Sequence, residues 1–259
     1  MSTETAFLTG AASGIGAAVA RRLTAEGVRV AICDVDTTRG GALAAELDGL
    51  FIECDVSDFD SMSAAVARVV AEWGAPQFVH LNAGVMTVAP DAPYLAIEEV
   101  SLAQYQRILG INLDGLFHGL KALLPVVRET TGAITLTAST AAFSRLAIDP
   151  LYATTKYAAL GLMRGVAAAN ADHPVRINAI CPGVVDTPIV PDAFRGMADL
   201  EVMSTDVMAA EVVDLLRHGA SGEARVKVSA HLPAIAVEPV DIGALAAAAN
   251  AAGSDDPAT

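Results

Sequence analysis

The chain has 259 residues, a formal net charge of −14 and only 16 basic residues, which are scattered rather than clustered. That balance argues against nucleic acid or an acidic carrier protein as a partner and reads as a solubilising acidic surface. Apolar residues make up 53%, ample for a core, yet Arg, Asp, Glu, Gly or Pro interrupts every apolar run before the ~18 residues a membrane span needs.

The N-terminal Met-Ser-Thr-Glu-Thr is acidic and enters an apolar strand directly, unlike a signal peptide, so a cytoplasmic protein is expected. Short apolar runs then alternate with longer helix-like stretches. Ala6–Thr9 reads as a strand and Gly14 to about Glu26 as a helix. Val28–Cys33 is the next strand, followed by a helix around Thr38–Leu47, and Leu50–Glu53 is a third strand. Ser57 or Asp58 caps a helix running to Trp73. Phe78–Leu81 is strand, a long helix runs from about Leu102 to Glu129, and Ala133–Ala138 is strand. Leu151–Ala171 reads as helix, Val175–Ile180 as strand, Asp206–Arg217 as helix and Ala224–Ser229 as a last strand.

Seven strands alternating with helices, and strands apolar on both faces, predict an α/β fold: one Rossmann-type, doubly wound parallel sheet with helices on both sides. Residues 1–245 form the expected domain. The Ala- and Asp-rich stretch 246–259 reads as a loosely held tail.

The first strand runs into Thr9-Gly10-Ala-Ala-Ser13-Gly14-Ile15-Gly16 and then into a helix, the context a pyrophosphate-binding turn requires. Gly10 would allow the sharp turn, Gly14 the approach of a pyrophosphate, and Gly16 close helix–strand contact. Asp34 ends the second strand, 18 residues after Gly16, where a carboxylate accepts from ribose hydroxyls; its other reading is a loop-start acid or a cap shared with Asp36. Two carboxylates would repel a 2′-phosphate. The nearest cation is Arg39, of unknown direction, so NAD is expected over NADP.

Tyr152 and Lys156 lie four residues apart and so share a helix face. An ammonium near a phenol favours the phenolate, which predicts a tyrosine able to exchange a proton near neutral pH. Ser139 stands 13 residues before Tyr152; Thr137 and Thr140 in the same polar run compete for its role, and the spacing favours Ser139.

With these motifs in order, joined by Asp55-Val56, Asn82-Ala83-Gly84, Asn112, and Pro182-Gly183 followed by Thr187, the chain resembles the short-chain dehydrogenase/reductase family from about Thr5 to Ser229. The resemblance implies Tyr152 as proton donor and acceptor, Ser139 orienting the substrate oxygen, Lys156 on the nicotinamide ribose and lowering the tyrosine pKa, and Asn112 holding a water, with a helix kink as the plainer reading of Asn112. It implies Asp55 and the Val56 backbone at the adenine, Asn82-Ala83-Gly84 against the ribose, and Val185 and Thr187 at the carboxamide. The C-terminal part is similar to hydroxyprostaglandin-dehydrogenase-like members and lacks the Asp-Gly-Gly strand of many relatives. A homodimer or a tetramer is expected through the two long helices.

The five histidines have no metal-ligand spacing, so His80 and His118 read as core or partly exposed residues and no metal site is expected. No Gly-x-Ser-x-Gly surrounds Ser139, against a hydrolase. Cys33, Cys54 and Cys181 each adjoin an apolar run, as small buried hydrophobes do. Val85, Met86, Phe143, Leu146, Ile189, Val190, Phe194 and Met197 are the expected apolar pocket, with Thr187–Thr205 as a covering loop. Arg145 meets a substrate carboxylate or, on the plainer reading, solvent. The expected activity is NAD-dependent interconversion of a hydrophobic or modestly polar secondary alcohol and its ketone. The alternatives are an NADPH-linked ketoreductase of acyl substrates and a catalytically silent nucleotide sensor.

Overall fold

The computed structural model describes residues 4–195 and 201–247. The chain alternates β1 (Thr5–Thr9), α1 (Gly14–Ala25), β2 (Arg29–Asp34), α2 (Thr37–Leu47), β3 (Leu50–Glu53), α3 (Phe59–Trp73) and β4 (Phe78–Leu81). It continues through α4 (Leu102–Leu109), α5 (Gly115–Val127), β5 (Ala133–Thr137), α6 (Pro150–Ala169) and β6 (Arg176–Pro182). The last elements are α7 (Asp192–Arg195), α8 (Thr205–His218), β7 (Ala224–Lys227) and β8 (Ile235–Ala236).

The sheet has eight strands in the order β3-β2-β1-β4-β5-β6-β7-β8, one more than the seven expected. The first seven are parallel, and β8 pairs antiparallel with β7 through Arg225↔Ala236 and Val226↔Ile235. Two residues carry too little pattern to register as a strand, and both are exposed, so apolar burial could not reveal them.

One core lies between the sheet and α1, α2 and α8; the other lies between the sheet and α3, α5 and α6. Strands β1, β4 and β5 are buried along their whole length, which explains their unbroken apolar runs. Strand order reverses between β1 and β4, which pair in parallel. In a doubly wound sheet the crevice at that reversal, beyond the C-terminal strand ends, is where ligands bind.

The expected single helix from Leu102 to Glu129 is divided. A π-type turn over Gly110–Asp114 separates α4 from α5, and a short 3-10 turn, Arg128–Thr130, ends it. Hydrophobic periodicity runs across this turn because the axis continues; an i→i+5 bond inserts a residue without ending the helix. Asp58, not Ser57, caps α3 by accepting from the Asp60 amide. The expected tail lies almost wholly outside the described residues; its first two residues continue helical turns over 242–247 that are exposed throughout. Among the described residues no helix is long and apolar enough to cross a membrane.

Candidate active site

The turn after β1 closes against the end of β4. Gly10 has φ +59°, and a Cβ there would lie 2.6 Å from the Ala83 Cα. At Gly16 a Cβ would strike the Gly10 carbonyl oxygen, so helix α1 can sit this close to its own turn only with glycine there. Ser13 is the N-cap residue of α1 but makes no side-chain cap bond. Asp34 lies at the mouth of this turn: one carboxylate oxygen accepts from the Ala12 amide at 2.9 Å and the other from the Asp36 amide at 3.0 Å. Asp36 itself caps α2 and pairs with Arg39 at 2.6 Å, so the nearest guanidinium is engaged with the second carboxylate.

Asp55 accepts from both the amide and the hydroxyl of Ser57, at 2.9 and 2.7 Å. The Val56 carbonyl is bonded to the His118 ring at 2.9 Å. The Asn82 side chain donates to the Gly10 carbonyl at 3.0 Å, while the Thr9 hydroxyl accepts from the Asn82 and Ala83 amides. Behind Asn82 runs a chain that orders every proton. The Asn82 amide oxygen can only accept, so the Thr137 hydroxyl donates to it at 3.1 Å. His80 Nε2–H must then donate to Thr137 at 2.8 Å. His80 is fully buried, its Nδ1 has no partner, and burial pulls its pKa down to about 3, so the ring is neutral. It is the core histidine expected.

Helix α6 begins where Asp149 accepts from the Tyr152 amide, with Pro150 at its first position, and it presents Tyr152 and Lys156 on one face as their spacing requires. The Ser139 hydroxyl accepts from the Ala141 amide at 3.1 Å and, beside the Tyr152 phenol, pulls its pKa down. The Lys156 ammonium donates to the Thr137 carbonyl at 2.9 Å and lies 5.4 Å from the centre of the Tyr152 ring. Burial pulls the lysine down to about 8. The depressed tyrosine pKa expected from Lys156 is not found. Burial pushes Tyr152 up to about 12, with the Asp149 charge adding to the rise and the Ser139 bond opposing it. Desolvation disfavours the phenolate more than the neighbouring ammonium favours it.

These side chains face one cleft of about 350 Å³. Gly10, Ser13, Gly14, Ile15 and Asp34 form one end, with Asp55 and Val56 beside them. Asn82, Ala83 and Gly84 form the floor, and a Cβ at Gly84 would stand 3.4 Å from the Lys156 ammonium. Ser139, Tyr152 and Lys156 line one wall; Pro182, Gly183, Val185 and Thr187 line the other. Thr187 lies over the glycine turn, 3.1 Å from where a Gly14 Cβ would be. Two expected site residues are not in the lining. Gly16 lies beneath the turn, and Asn112 is buried behind the floor, accepting from the Val85 amide at 2.8 Å and donating to the Val85 carbonyl and the Thr155 hydroxyl.

Of the expected apolar pocket, Val85, Met86, Leu146, Ile189, Val190 and Phe194 line the cleft. Phe143 does not: it is 40% exposed on the turn after Ser139, and Ala141 and Ser144 line the cleft instead. Arg145 is exposed and is not among the residues lining the cleft. The expected covering loop carries helix α7, and the pairing of Val185 with Met203 closes its base. Met197 lies outside the described residues. All three cysteines are free and buried, as expected. Sequence reasoning missed Asp149, read His80 only as a core or partly exposed residue, and weighed Thr137 only as a rival to Ser139; for Asp149 the sole signal was the Asp-Pro pair at 149–150, which marks a helix start.

A family model for short chain dehydrogenases matches residues 4–198. Trans-4-hydroxycyclohexanecarboxylate dehydrogenase of Sinomonas cyclohexanicum is 30% identical over 240 residues, covering 88% of this chain and 90% of the relative. A short chain dehydrogenase from Burkholderia cenocepacia J2315 in complex with NADP superposes with a TM-score of 0.80 at 26% identity, covering 89% of this chain and 99% of that one. The 3-ketoacyl-(acyl-carrier-protein) reductase from Brucella melitensis complexed with NADH gives 0.79 at 25% identity, covering 87% and 96%. The glycine turn, the crevice at the strand reversal and the Ser139, Tyr152 and Lys156 wall thus occur together with family-wide similarity: the chain belongs to the short-chain dehydrogenase family and is an oxidoreductase on a fold that binds a nicotinamide cofactor.

Proposed function

We propose that the protein interconverts a compact secondary alcohol, hydrophobic or modestly polar, and its ketone with NAD. The observation that carries this reading is the convergence of Ser139, Tyr152 and Lys156 on one wall of a cleft whose far end holds the glycine turn and Asp34. The residues fit the cofactor: Gly10 and Gly14, both at positive φ, leave no easy room for side chains on the turn, and Ser13 leaves the start of α1 uncapped for a phosphate. When bound, the nicotinamide supplies or accepts the hydride.

Tyr152 passes the proton at its phenol oxygen, and the Ser139 hydroxyl holds the substrate oxygen beside it. Lys156, bonded to the Thr137 carbonyl, reaches the nicotinamide ribose past Gly84 and keeps its charge near the phenol. Val185 and Thr187 hold the carboxamide end, Pro182 and Gly183 bring that strand end alongside, and Ile15 covers the pyrophosphate. Asp55 and the Val56 amide take the adenine. Asn112 acts from behind the floor by fixing Val85. Asp34, with Arg39 already paired to Asp36, supports NAD over NADP.

The apolar wall of Met86, Leu146, Ile189 and Phe194 favours a ring or short aliphatic body. Exposed Leu102, Tyr105, Phe117 and Tyr157 on α4, α5 and α6 support an isologous homodimer, or a tetramer built from it. An acyl group carried by an acidic protein is the less favoured substrate, because a chain of net charge −14 repels it. A panel of cyclic and open-chain secondary alcohols, assayed with NAD and with NADP by the absorbance of the reduced cofactor, tests the reading. Turnover of cyclic alcohols with NAD is expected. No turnover, with NAD still bound, would return the protein to a sensing role.

A further inference from the structure

Asp149 is 3% exposed, and among the described residues no lysine or arginine forms an ion pair with it. Its carboxylate accepts three hydrogen bonds: from the Thr87 amide at 2.9 Å, from the Thr87 hydroxyl at 2.6 Å and from the Tyr152 amide at 2.9 Å. Ser, Thr or Asn would cap a helix as well without burying a charge, and an unpaired buried charge is costly. The charge therefore asks for a use beyond capping.

The loop after β4 is held at alternate residues. Asn112 brackets the Val85 amide and carbonyl, and Asp149 holds Thr87. Both ties end on the same residue of α6. Asp149 reaches the Tyr152 amide; Asn112 donates to the Thr155 hydroxyl, which donates to the Tyr152 carbonyl at 2.8 Å. Of this tied stretch, Val85 and Met86 line the cleft. The loop that meets substrate and the residue that carries the phenol are thus fastened to each other rather than separately to the sheet.

We propose that Asp149 is a positioning residue of the proton-transfer site, joining the loop after β4 to the first turn of α6 and placing a buried carboxylate at the start of the turn that carries Tyr152. This rests on the assignment of Tyr152 as the proton-transfer residue. Tyr152 is faced by Asp149 and Lys156 on its own helix, by Ser139 after β5 and, beyond Lys156, by Cys181 on β6. Asp149 is faced by Tyr94 of the loop, whose buried phenol has no partner and is pushed up by burial and then by this carboxylate. Arg107 of α4 is turned to the Met86 carbonyl at 3.2 Å. Lys156 favours the phenolate and Asp149 the phenol, one from the turn after Tyr152 and the other from the helix start before it.

Two substitutions should move the pH profile in opposite senses. Asp149→Asn keeps a cap for the Tyr152 amide and removes the charge. The rising limb of kcat/KM for alcohol oxidation should then shift to lower pH by a few tenths of a unit to about one. Thr87→Val strips a donor from the carboxylate and leaves its charge less compensated, so the limb should shift to higher pH by less. Asp149→Ser, an uncharged cap, should follow Asn. Limbs that stay in place while rates fall uniformly, or that move in the same direction, would overturn the proposal. Should Asp149→Asn not fold, Thr87→Val decides alone: a limb unmoved or moved to lower pH overturns it.

If the wild type oxidises no alcohol, the functional reading fails, and amide exchange then judges the tie. Asp149→Ala should speed exchange at Thr87 and Tyr152 together by tenfold or more. Unchanged exchange at Thr87 would refute it.

Discussion

On the glycine-turn side of the cleft the surface is backbone: Gly10 and Gly16 are pressed against Ala83 and against the turn itself, and Asp34 spends both oxygens on neighbouring amides. On the α6 side the surface is side chains, and each polar atom is held by another: Ser139 by Ala141, Lys156 by Thr137, Tyr152 by Asp149 at its amide. A backbone site tolerates almost no added atom, because nothing in it can rotate away. A side-chain site tolerates isosteric change but is sensitive to charge and protonation. The cofactor end should therefore fail by steric intrusion, and the reacting end by loss of a proton carrier.

The largest contrast is expected at Tyr152. Tyr152→Phe should reduce turnover by ~10²–10⁴-fold, the usual scale of acid–base catalysis, with NAD affinity nearly unchanged. Stopped-flow turnover beside calorimetric binding separates the two; comparable losses in both would erase the distinction between the halves. Gly16→Val tests the other side. Its Cβ would meet the Gly10 carbonyl oxygen, and overpacking of about 1–3 kcal/mol should weaken NAD binding by roughly 10–100-fold or reduce soluble yield. A Val variant that binds like wild type would show that the turn yields after all.

Asp34→Ala should weaken NAD on the order of tenfold, as expected for loss of a charged hydrogen-bond acceptor, and narrow the preference against NADP. A wild type that turns over faster with NADP at equal concentrations would overturn the charge argument. The last test reads stability rather than binding or turnover, and it concerns the network beneath the floor. His80 titrates near 3 when folded but near 6.5 when unfolded, so between those values the unfolded chain binds the extra proton. Stability should be complete above about pH 6.5 and should fall as pH drops toward 3, by up to about 1.4 kcal/mol per pH unit from this group. His80→Leu should flatten that slope in urea titrations at stepped pH. An unchanged slope would show that carboxylates elsewhere govern acid unfolding.

The pH dependence of activity sharpens the same picture. With Tyr152 raised to about 12 and Lys156 lowered to about 8, the phenol is protonated at neutral pH and is ready as an acid. Ketone reduction should persist toward neutral pH, whereas alcohol oxidation should speed up as pH rises.

That Tyr152 and Lys156 share a helix face, and that the three glycines and Asp34 close the first two strands, was legible from spacing, because strand–turn–helix geometry converts fixed separation into fixed direction over one or two turns; Ser139, 13 residues before Tyr152 across a loop, was legible only through the family resemblance. The parallel sheet was legible as well, since burial on both faces leaves unbroken apolar runs. The tertiary structure alone decided what depends on residues distant in sequence. Thr87 meets Asp149 across 62 positions and His80 meets Thr137 across 57, and no local pattern encodes either meeting. It also decided the eighth strand, the π-type turn at Asn112 and the outward direction of Phe143. The sign of the tyrosine shift belongs to this group. Spacing brings the ammonium near the phenol, but only the fold sets how much water both lose, and desolvation outweighs the pair.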